Sequence, residues 1–239
     1  MRKSLIAAGA AVLAVSGAGV AYAQTAPPTI VVKTSVSPSK AGTKHKAKAE
    51  KFSLTVTNNV NDSKATASQI KIQFPKTLKL STKGLPQCTK SDDTLINQGT
   101  KVCKKSIAGT GESHVILNPY ASPTNVTFKV TPLVGKNQML YYISAPAINT
   151  TAVLHGKIHG QTQTIVITPN LQQPVPGLFT AIVDLKTTLS LKKGKHSLIT
   201  SSGCKGGGHT IKVSESFIPN PTAPLANTAT SSGKASCKK

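Results

Sequence analysis

The segment from Cys88 to Cys103, CTKSDDTLINQGTKVC, combines residue types that could bind a metal, act as a nucleophile or form a disulfide. Zinc sites usually pair Cys or His about two to four residues apart, but fourteen residues separate these cysteines and none is His. An EF-hand loop starting at Asp92 would need Gly and Glu where Asn97 and Cys103 stand. Asp92 and Asp93 instead fit turn chemistry, in which a short carboxylate bonds to nearby backbone. We therefore expect a disulfide-closed surface loop and no metal.

The chain has four cysteines, Cys88, Cys103, Cys204 and Cys237, an even number that is typical of disulfides in exported proteins. Four cysteines allow three pairings, and the sequence alone does not choose among them. The pairing of near neighbours, 88 with 103 and 204 with 237, is the simplest. A closed loop of about 15 residues would restrict the unfolded chain by roughly 3 kcal/mol.

The N-terminal sequence MRKSLIAAGAAVLAVSGAGVAYAQ has the three parts of a secretory signal peptide. Arg2 and Lys3 precede an apolar run from Leu5 to Val20, and a small-x-small cleavage site ends at Ala23. The alternative, a membrane anchor, is disfavoured because the apolar run is short and rich in Ala and Gly. We predict that residues 1–23 are removed and that the secreted protein begins at Gln24.

Histidine and serine give weak grounds for catalysis. Ser113 and His114 are adjacent, and a strand would direct them to opposite faces. His155 and His159 are four residues apart, which on a strand separates them by about 13 Å, too far to share a metal directly. We expect no catalytic residue, no metal and no cofactor.

Carboxylates leave one enzymatic alternative. A glycosidase needs two carboxylates roughly 5 to 10 Å apart, and Asp184 with Glu112 or Glu215 is the pair that could be proposed. Glu215 has the same strand parity as Ile211 and Val213, which suggests an inward carboxylate or a bulge. We favour the simpler interpretation, a residue at the end of a strand. A secreted carbohydrate-active enzyme is therefore the alternative function.

The charge of the chain is strongly positive. Removal of Arg2 and Lys3 with the signal leaves 27 lysines, no arginine and seven acids, a net charge of +20. Such a charge attracts polyanions, whether nucleic acid, anionic lipid or acidic wall polymers. The absence of arginine and tryptophan argues against sequence-specific reading of nucleic acid.

Lysines cluster at two places in the sequence. The candidate polyanion-binding residues are Lys40, Lys44, Lys46, Lys48 and Lys51 in the first group, and Lys192, Lys193 and Lys195 in the second. The alternative is that these lysines serve only to keep the surface solvated and the protein soluble.

Alternating apolar and polar residues predict an all-β protein. The inward positions of the predicted strands include Phe52, Leu54, Val56, Ile70, Ile72, Phe74, Val126, Phe128, Val130, Ile165, Ile167, Phe179, Ala181, Val183, Leu185, Ile211 and Val213. Turn clusters separate these strands, and no window of ten residues has a helical stripe. Short strands with one polar face predict an antiparallel β-sandwich, Ig-like or jelly-roll-like, built as one large or two small sandwiches.

The β domain is expected to span residues 24–218, with a subdivision near 118–125 as an alternative. The Lys-rich stretch SPSKAGTKHKAKAEK could be a linker or a long hairpin loop, and the hairpin is preferred because Thr29 to Val36 before it also has the pattern of a strand. Residues 219–239 are rich in Pro, Ser, Thr and Lys, which predicts an extended tail.

The strings FPKTLKL, LPQC and KKSIAGTGES, followed by a late Cys-Gly-rich turn, resemble a family of uncharacterised secreted actinobacterial proteins. The resemblance covers about residues 29–217 and implies a bacterial, secreted, β-rich protein with no known activity. It transfers no catalytic residue. With the charge, it favours a non-enzymatic protein of the cell surface or extracellular matrix that binds polyanions through lysines.

Overall fold

The computed structural model describes residues 27–59, 64–117, 123–174, 176–219 and 227–239. The predicted signal peptide, residues 1–23, lies outside these ranges. In the described ranges, the helices are all too short to cross a membrane as an apolar span.

The described residues are mainly strands, with a few short helices. The strands are β1 (Ile30–Ser37), β2 (Lys48–Ala49), β3 (Lys51–Asn58), β4 (Thr66–Gln73), β5 (Leu78–Leu80), β6 (Gly109–Leu117), β7 (Thr124–Gly135), β8 (Gln138–Ala145), β9 (Thr150–His159), β10 (Thr162–Val166), β11 (Thr180–Leu189), β12 (Lys192–Lys193), β13 (His196–Ser197), β14 (Ile199–Ser201), β15 (Gly208–Ile218) and β16 (Asn227–Ser236). The helices are α1 (Asp92–Gln98), α2 (Pro169–Gln172) and two 3₁₀ helices, Thr100–Ser106 and Pro146–Ile148.

Eleven of the described strands form one antiparallel sheet, in the order β1-β3-β11-β6-β7-β8-β9-β10-β4-β15-β16. The sheet is nearly closed into a barrel, because its two end strands meet. Lys40, just after β1, forms a parallel bridge with Lys238, just after β16. A parallel contact is what an odd number of alternating strands requires at the closure. Gly233 of β16 makes the approach possible, since a Cβ there would lie 2.8 Å from the carbonyl oxygen of Val32.

The apolar alternation of the sequence explains the core. In β3, Phe52, Leu54 and Val56 are each only 1% exposed, while the residues between them face outward or are half-buried. The inward side chains of the curled sheet pack against each other in its interior. A smaller cluster lies on the outer face, where Leu95 of α1 covers Leu133 and Leu140. The sheet is therefore buried on its inner face, and partly on its outer face by α1.

The predicted all-β, antiparallel class is confirmed, but the sandwich is not. The strands before and after the suggested boundary, β6 and β7, are neighbours in the same sheet, although residues 118–122 between them lie outside the described ranges. The Lys-rich hairpin is confirmed, because β1 and β3 pair antiparallel from Ile30 with Asn58 to Ser37 with Lys51.

The prediction of a tail from residue 219 is wrong for residues 227–236. They form β16, which pairs with β15 from Phe217 with Asn227 to Gly208 with Ser236. The pairing uses main-chain groups, so it needs no large apolar side chains. Ala229 and Ala235, 6% and 0% exposed, suffice to fill the inner face there. Residues 220–226 lie outside the described ranges.

Candidate anion-binding surface

The first predicted group of lysines partly converges in a surface depression of about 520 Å³, here called the first lysine pocket. Lys40, Lys46 and Lys48 line it, and Lys239 joins them from the other end of the chain. The floor is formed by small residues and a cysteine, Ala41, Gly42, Thr43, Gly203 and Cys204. Lys44 and Lys51 are exposed but do not line this pocket.

Closure of the sheet builds this pocket. The amide of Ala41 donates to the carbonyl of Lys238 at 2.8 Å, and the amide of Lys238 donates to the carbonyl of Ser39 at 2.7 Å. The disulfide between Cys204 and Cys237 links the pocket floor to the end of β16. Residues from three distant parts of the sequence are thus held together by hydrogen bonds and a covalent bond.

A tight loop presents Lys46 and Lys48. The amide of Thr43 donates to the carbonyl of Lys46 at 2.9 Å, and the amide of Lys46 donates back to Thr43 at 3.1 Å. Gly42 is required beside this loop, because a Cβ would lie 2.5 Å from Lys46 O, Lys48 N and Ser201 O. β2, which contains Lys48, pairs with β14 in a three-stranded sheet with β5. The local sequence therefore fixes the backbone positions from which the side chains of Lys46 and Lys48 extend.

Glu50 is the acidic residue next to this group. It is 3% exposed, and no hydrogen-bond partner for its carboxylate is found among the described residues. Burial raises the pKa of Glu50 to about 7, although the positive charge of Lys48 lowers it. Glu50 is therefore largely protonated below pH 7, where it does not offset the charge of the lysines.

The second predicted group lies on a hairpin formed by β12 and β13. Lys192 pairs with Ser197 and Lys193 with His196, and Gly194 at φ +55° makes the turn together with Lys195. All three lysines are exposed. The chain continues from this hairpin into β14, the partner of β2. The pairing of β14 with β2 therefore links the hairpin that carries the second group of lysines to the strand that carries Lys48 of the first group.

A third group was missed from the sequence. A depression of about 440 Å³ beside the Cys88–Cys103 disulfide, here called the second lysine pocket, is lined by Lys90, Lys101, Lys104 and Lys105. The signal was present, because these lysines flank the two cysteines.

The lysines of the predicted groups form no close ion pairs among the described residues, although Lys48 interacts electrostatically with the Glu50 carboxyl. Among the described residues, none of the eight has a carboxylate within 4 Å; the Lys–carboxylate pair seen is Lys186 with Glu112, at 3.8 Å. Free lysines around a depression repel each other and attract counterions. The surface is therefore suited to binding polyanions by charge.

The disulfides are Cys88–Cys103 and Cys204–Cys237, the pairing favoured from the sequence. The interpretation of Asp92 and Asp93 as turn residues is wrong. They form the first turn of α1, which Ser91 caps by accepting a hydrogen bond from the amide of Thr94 at 3.2 Å. Within the described part of the chain, no three His, Cys, Asp or Glu side chains are grouped so that they could hold a metal ion.

The suggested carboxylates do not all converge. Asp184 accepts a hydrogen bond from the His114 ring at 2.9 Å, and Glu112 lies near Lys186 on the same outer face. Glu215, by contrast, is 0% exposed in the interior, so the favoured position at a strand end is wrong. Burial raises the pKa of Glu215 to about 7, although the nearby Asn58 side chain lowers it. Among the described residues, no hydrogen-bond partner is found for either carboxylate oxygen.

The histidines have separate places. His114 lies on the outer face and Ser113 lines the interior, in line with the predicted opposite faces. His155 faces Asp92 at 2.9 Å through Nε2 and Gln138 at 3.2 Å through Nδ1. His159 on the same strand is exposed.

The chain matches no protein-family model, and a search of curated proteins finds no match. The resemblance to secreted actinobacterial proteins therefore stays a prediction. The fold and the surface define the protein as an antiparallel all-β protein with two disulfides and lysine-lined depressions.

Proposed function

We propose that the protein is a secreted, non-enzymatic protein of the cell surface or extracellular matrix that binds polyanions without sequence specificity. The observation that carries the proposal is the first lysine pocket, where Lys40, Lys46, Lys48 and Lys239 surround one depression. Among the described residues, none of these four lysines has a carboxylate within 4 Å. Acidic wall polymers and nucleic acid are the partner classes with the required charge density.

Two features support lysine contacts over shape-specific recognition. The pocket offers ammonium groups, which act as point charges, and no guanidinium group for bidentate contacts. Its floor consists mainly of small side chains, with no aromatic ring on which a base or a sugar could stack. Affinity then depends on the number of charges and on salt.

Secretion is part of the proposal. It rests on the signal-like sequence of residues 1–23 and on the two disulfides, which form in oxidising compartments. N-terminal sequencing of the exported protein should find Gln24 first. A membrane-bound form that retains residues 5–20 would contradict the assignment.

Binding is tested with the mature protein against a random-sequence DNA duplex, linear polyphosphate and a neutral polysaccharide, each at two salt concentrations. The proposal expects binding to the two anions, weakening with salt, and none to the neutral polymer. Binding to the neutral polymer alone, or to no polymer at low salt, would contradict it and leave the lysines as a means of solubility.

A further inference from the structure

The interior of the curled sheet contains an apolar cavity of about 90 Å³. Eighteen of the described residues line it. They come from β3, β4, β6, β7, β8, β9, β10 and β11, with Ile167 after β10 and Leu171 from α2. Protein interiors are normally packed as densely as organic crystals. The volume is several times the roughly 10–15 Å³ that one water needs. Because its lining comes from the inner faces of eight strands, the cavity results from the arrangement of the whole sheet and not from a single loop.

Among the described residues, no charged side chain lines the cavity. Four lining residues carry hydroxyl groups, and three of these already donate hydrogen bonds to the protein. Ser113 donates to the carbonyl of Asp184 at 2.8 Å, Thr180 to the carbonyl of Leu171 at 2.8 Å, and Tyr141 to Oε1 of Gln163 at 3.1 Å. Water needs two to four polar partners to stay in a cavity, and these groups have few left to give. The space is therefore suited to an apolar occupant.

The shape of the space follows from small residues at inward positions. Ala67 of β4, Ser113 of β6 and Thr187 of β11 are small where the neighbouring inward positions carry Ile, Val and Leu. A bulge in β11 between Ile182 and Asp184 shifts the inward register, so that Ile182 and Leu185 both line the cavity. Filling the space with a larger side chain would require only one change at one of these positions.

We propose that this cavity binds one small apolar molecule of the size of a benzene ring or a short alkyl chain. Affinity comes from burial of apolar surface and from dispersion contacts with the lining methyl groups. The site is separate from the lysine pockets, because none of their lining residues is shared with it. A negatively charged analogue is excluded from the interior and meets the lysines on the surface instead.

The experiment is a titration of methyl-labelled mature protein with benzene, followed by NMR. Saturable shifts are expected for the methyl groups of the lining residues Ile143, Ile165 and Ile182. The fully buried Ile199 and Ile211, which do not line the cavity, serve as internal controls and should not shift. Shifts that do not saturate, or that are equal at the controls, would overturn the proposal.

Variants locate the binding. Ala67→Leu should weaken benzene binding at least tenfold by filling the space, whereas Thr187→Val, which keeps the volume, should change it less than twofold. Val115→Leu is the second filling variant, for use if Ala67→Leu does not fold. Benzoate should give no saturable shift at the lining methyl groups. Unchanged benzene affinity in a folded filling variant, or benzoate bound inside, would contradict the assignment.

Discussion

Lys40 and Lys238 form a parallel β-bridge that joins the two ends of an eleven-stranded sheet. The bridge continues the approach of β1 and β16, and the Cys204–Cys237 disulfide lies beside it. The same closure brings Lys40 and Lys239 to one pocket. The stability of the fold and the arrangement of the lysines therefore depend on one feature.

Replacement of Cys204 and Cys237 by Ser should destabilise the protein by about 2–4 kcal/mol, because the unfolded chain gains freedom. It should also weaken polyanion binding, because the end of β16 is no longer held at the pocket. Urea unfolding and a DNA titration measure the two effects. The control is Val56→Ala, a core variant that should lower stability but leave both lysine pockets intact. Equal loss of binding in both variants would contradict the link.

Gly42→Ala tests the loop that carries Lys46 and Lys48. Its Cβ would meet three backbone atoms at 2.5 Å, so the loop must move, and we expect a loss of about 1–3 kcal/mol. Gly203→Ala is the control from the same pocket, since its Cβ would lie 3.9 Å from the nearest atom, Cγ2 of Thr77. Denaturation midpoints measure both. A Gly42 variant as stable as the Gly203 variant would show that the loop is not tightly packed.

Stability should depend on pH through Glu215. In the unfolded chain this carboxyl ionises near pH 4.5, whereas the folded protein keeps its proton to about pH 7. Between these values the folded state binds more protons, so this contribution to stability is complete below pH 4.5 and is lost as pH rises to 7. The loss is about 3 kcal/mol. Glu50 acts in the same direction.

Burial lowers the pKa of His209, so its contribution to the pH dependence of stability opposes that of Glu215. A comparison of Glu215→Gln with the wild type is therefore needed to separate the effect of Glu215. Compared with the wild type, the variant should lose less stability between pH 4.5 and 7.5 in urea unfolding. Ser214→Ala, which removes a partly exposed, non-titrating hydroxyl group from the same strand, is the control and should leave the pH dependence nearly unchanged. A Glu215→Gln protein with the wild-type pH dependence would contradict the buried carboxyl.

His155 holds α1 to the sheet through Asp92. Both side chains are partly exposed, so His155→Ala should cost about 1 kcal/mol or less. It should nevertheless speed local opening of α1, which hydrogen exchange at the amide of Leu95 would detect. His159→Ala, an exposed position on the same strand, should leave that rate unchanged. Equal rates in the two variants would show that the contact does not restrain α1.

Much of the fold could be predicted from the sequence because period-two alternation reports which side chains face inward. Phe52, Leu54 and Val56 follow it without exception. In β11 the rule fails, because a bulge between Ile182 and Asp184 shifts the register and the predicted inward position of Val183 no longer applies. A bulge is set by main-chain pairing with β6, which leaves little trace in residue types.

Closure of the sheet and the role of β16 could not be predicted for a related reason. β16 is stabilised by backbone hydrogen bonds and by Ala229 and Ala235, which carry no strong β signal. A prediction that lacks β16 cannot place Lys239 beside Lys40, because β16 is the strand that brings the end of the chain to β1. The interior position of Glu215 is indicated by the strand parity that it shares with Ile211 and Val213. From the sequence, a position at the end of the strand is nevertheless favoured, because an uncompensated buried carboxylate is costly.

The most direct test of the central claim is the salt dependence of binding to a random-sequence DNA duplex. Replacement of Lys40, Lys46 and Lys48 by Gln should reduce the slope of log affinity against log salt by about 2–3, since each lost phosphate contact removes about 0.9. The control replaces Lys71, Lys129 and Lys157, three exposed lysines of the sheet, with the same change in net charge. The account predicts that the control keeps a slope close to that of the wild type. Equal slopes for the two triple variants, or affinity independent of salt, would contradict it.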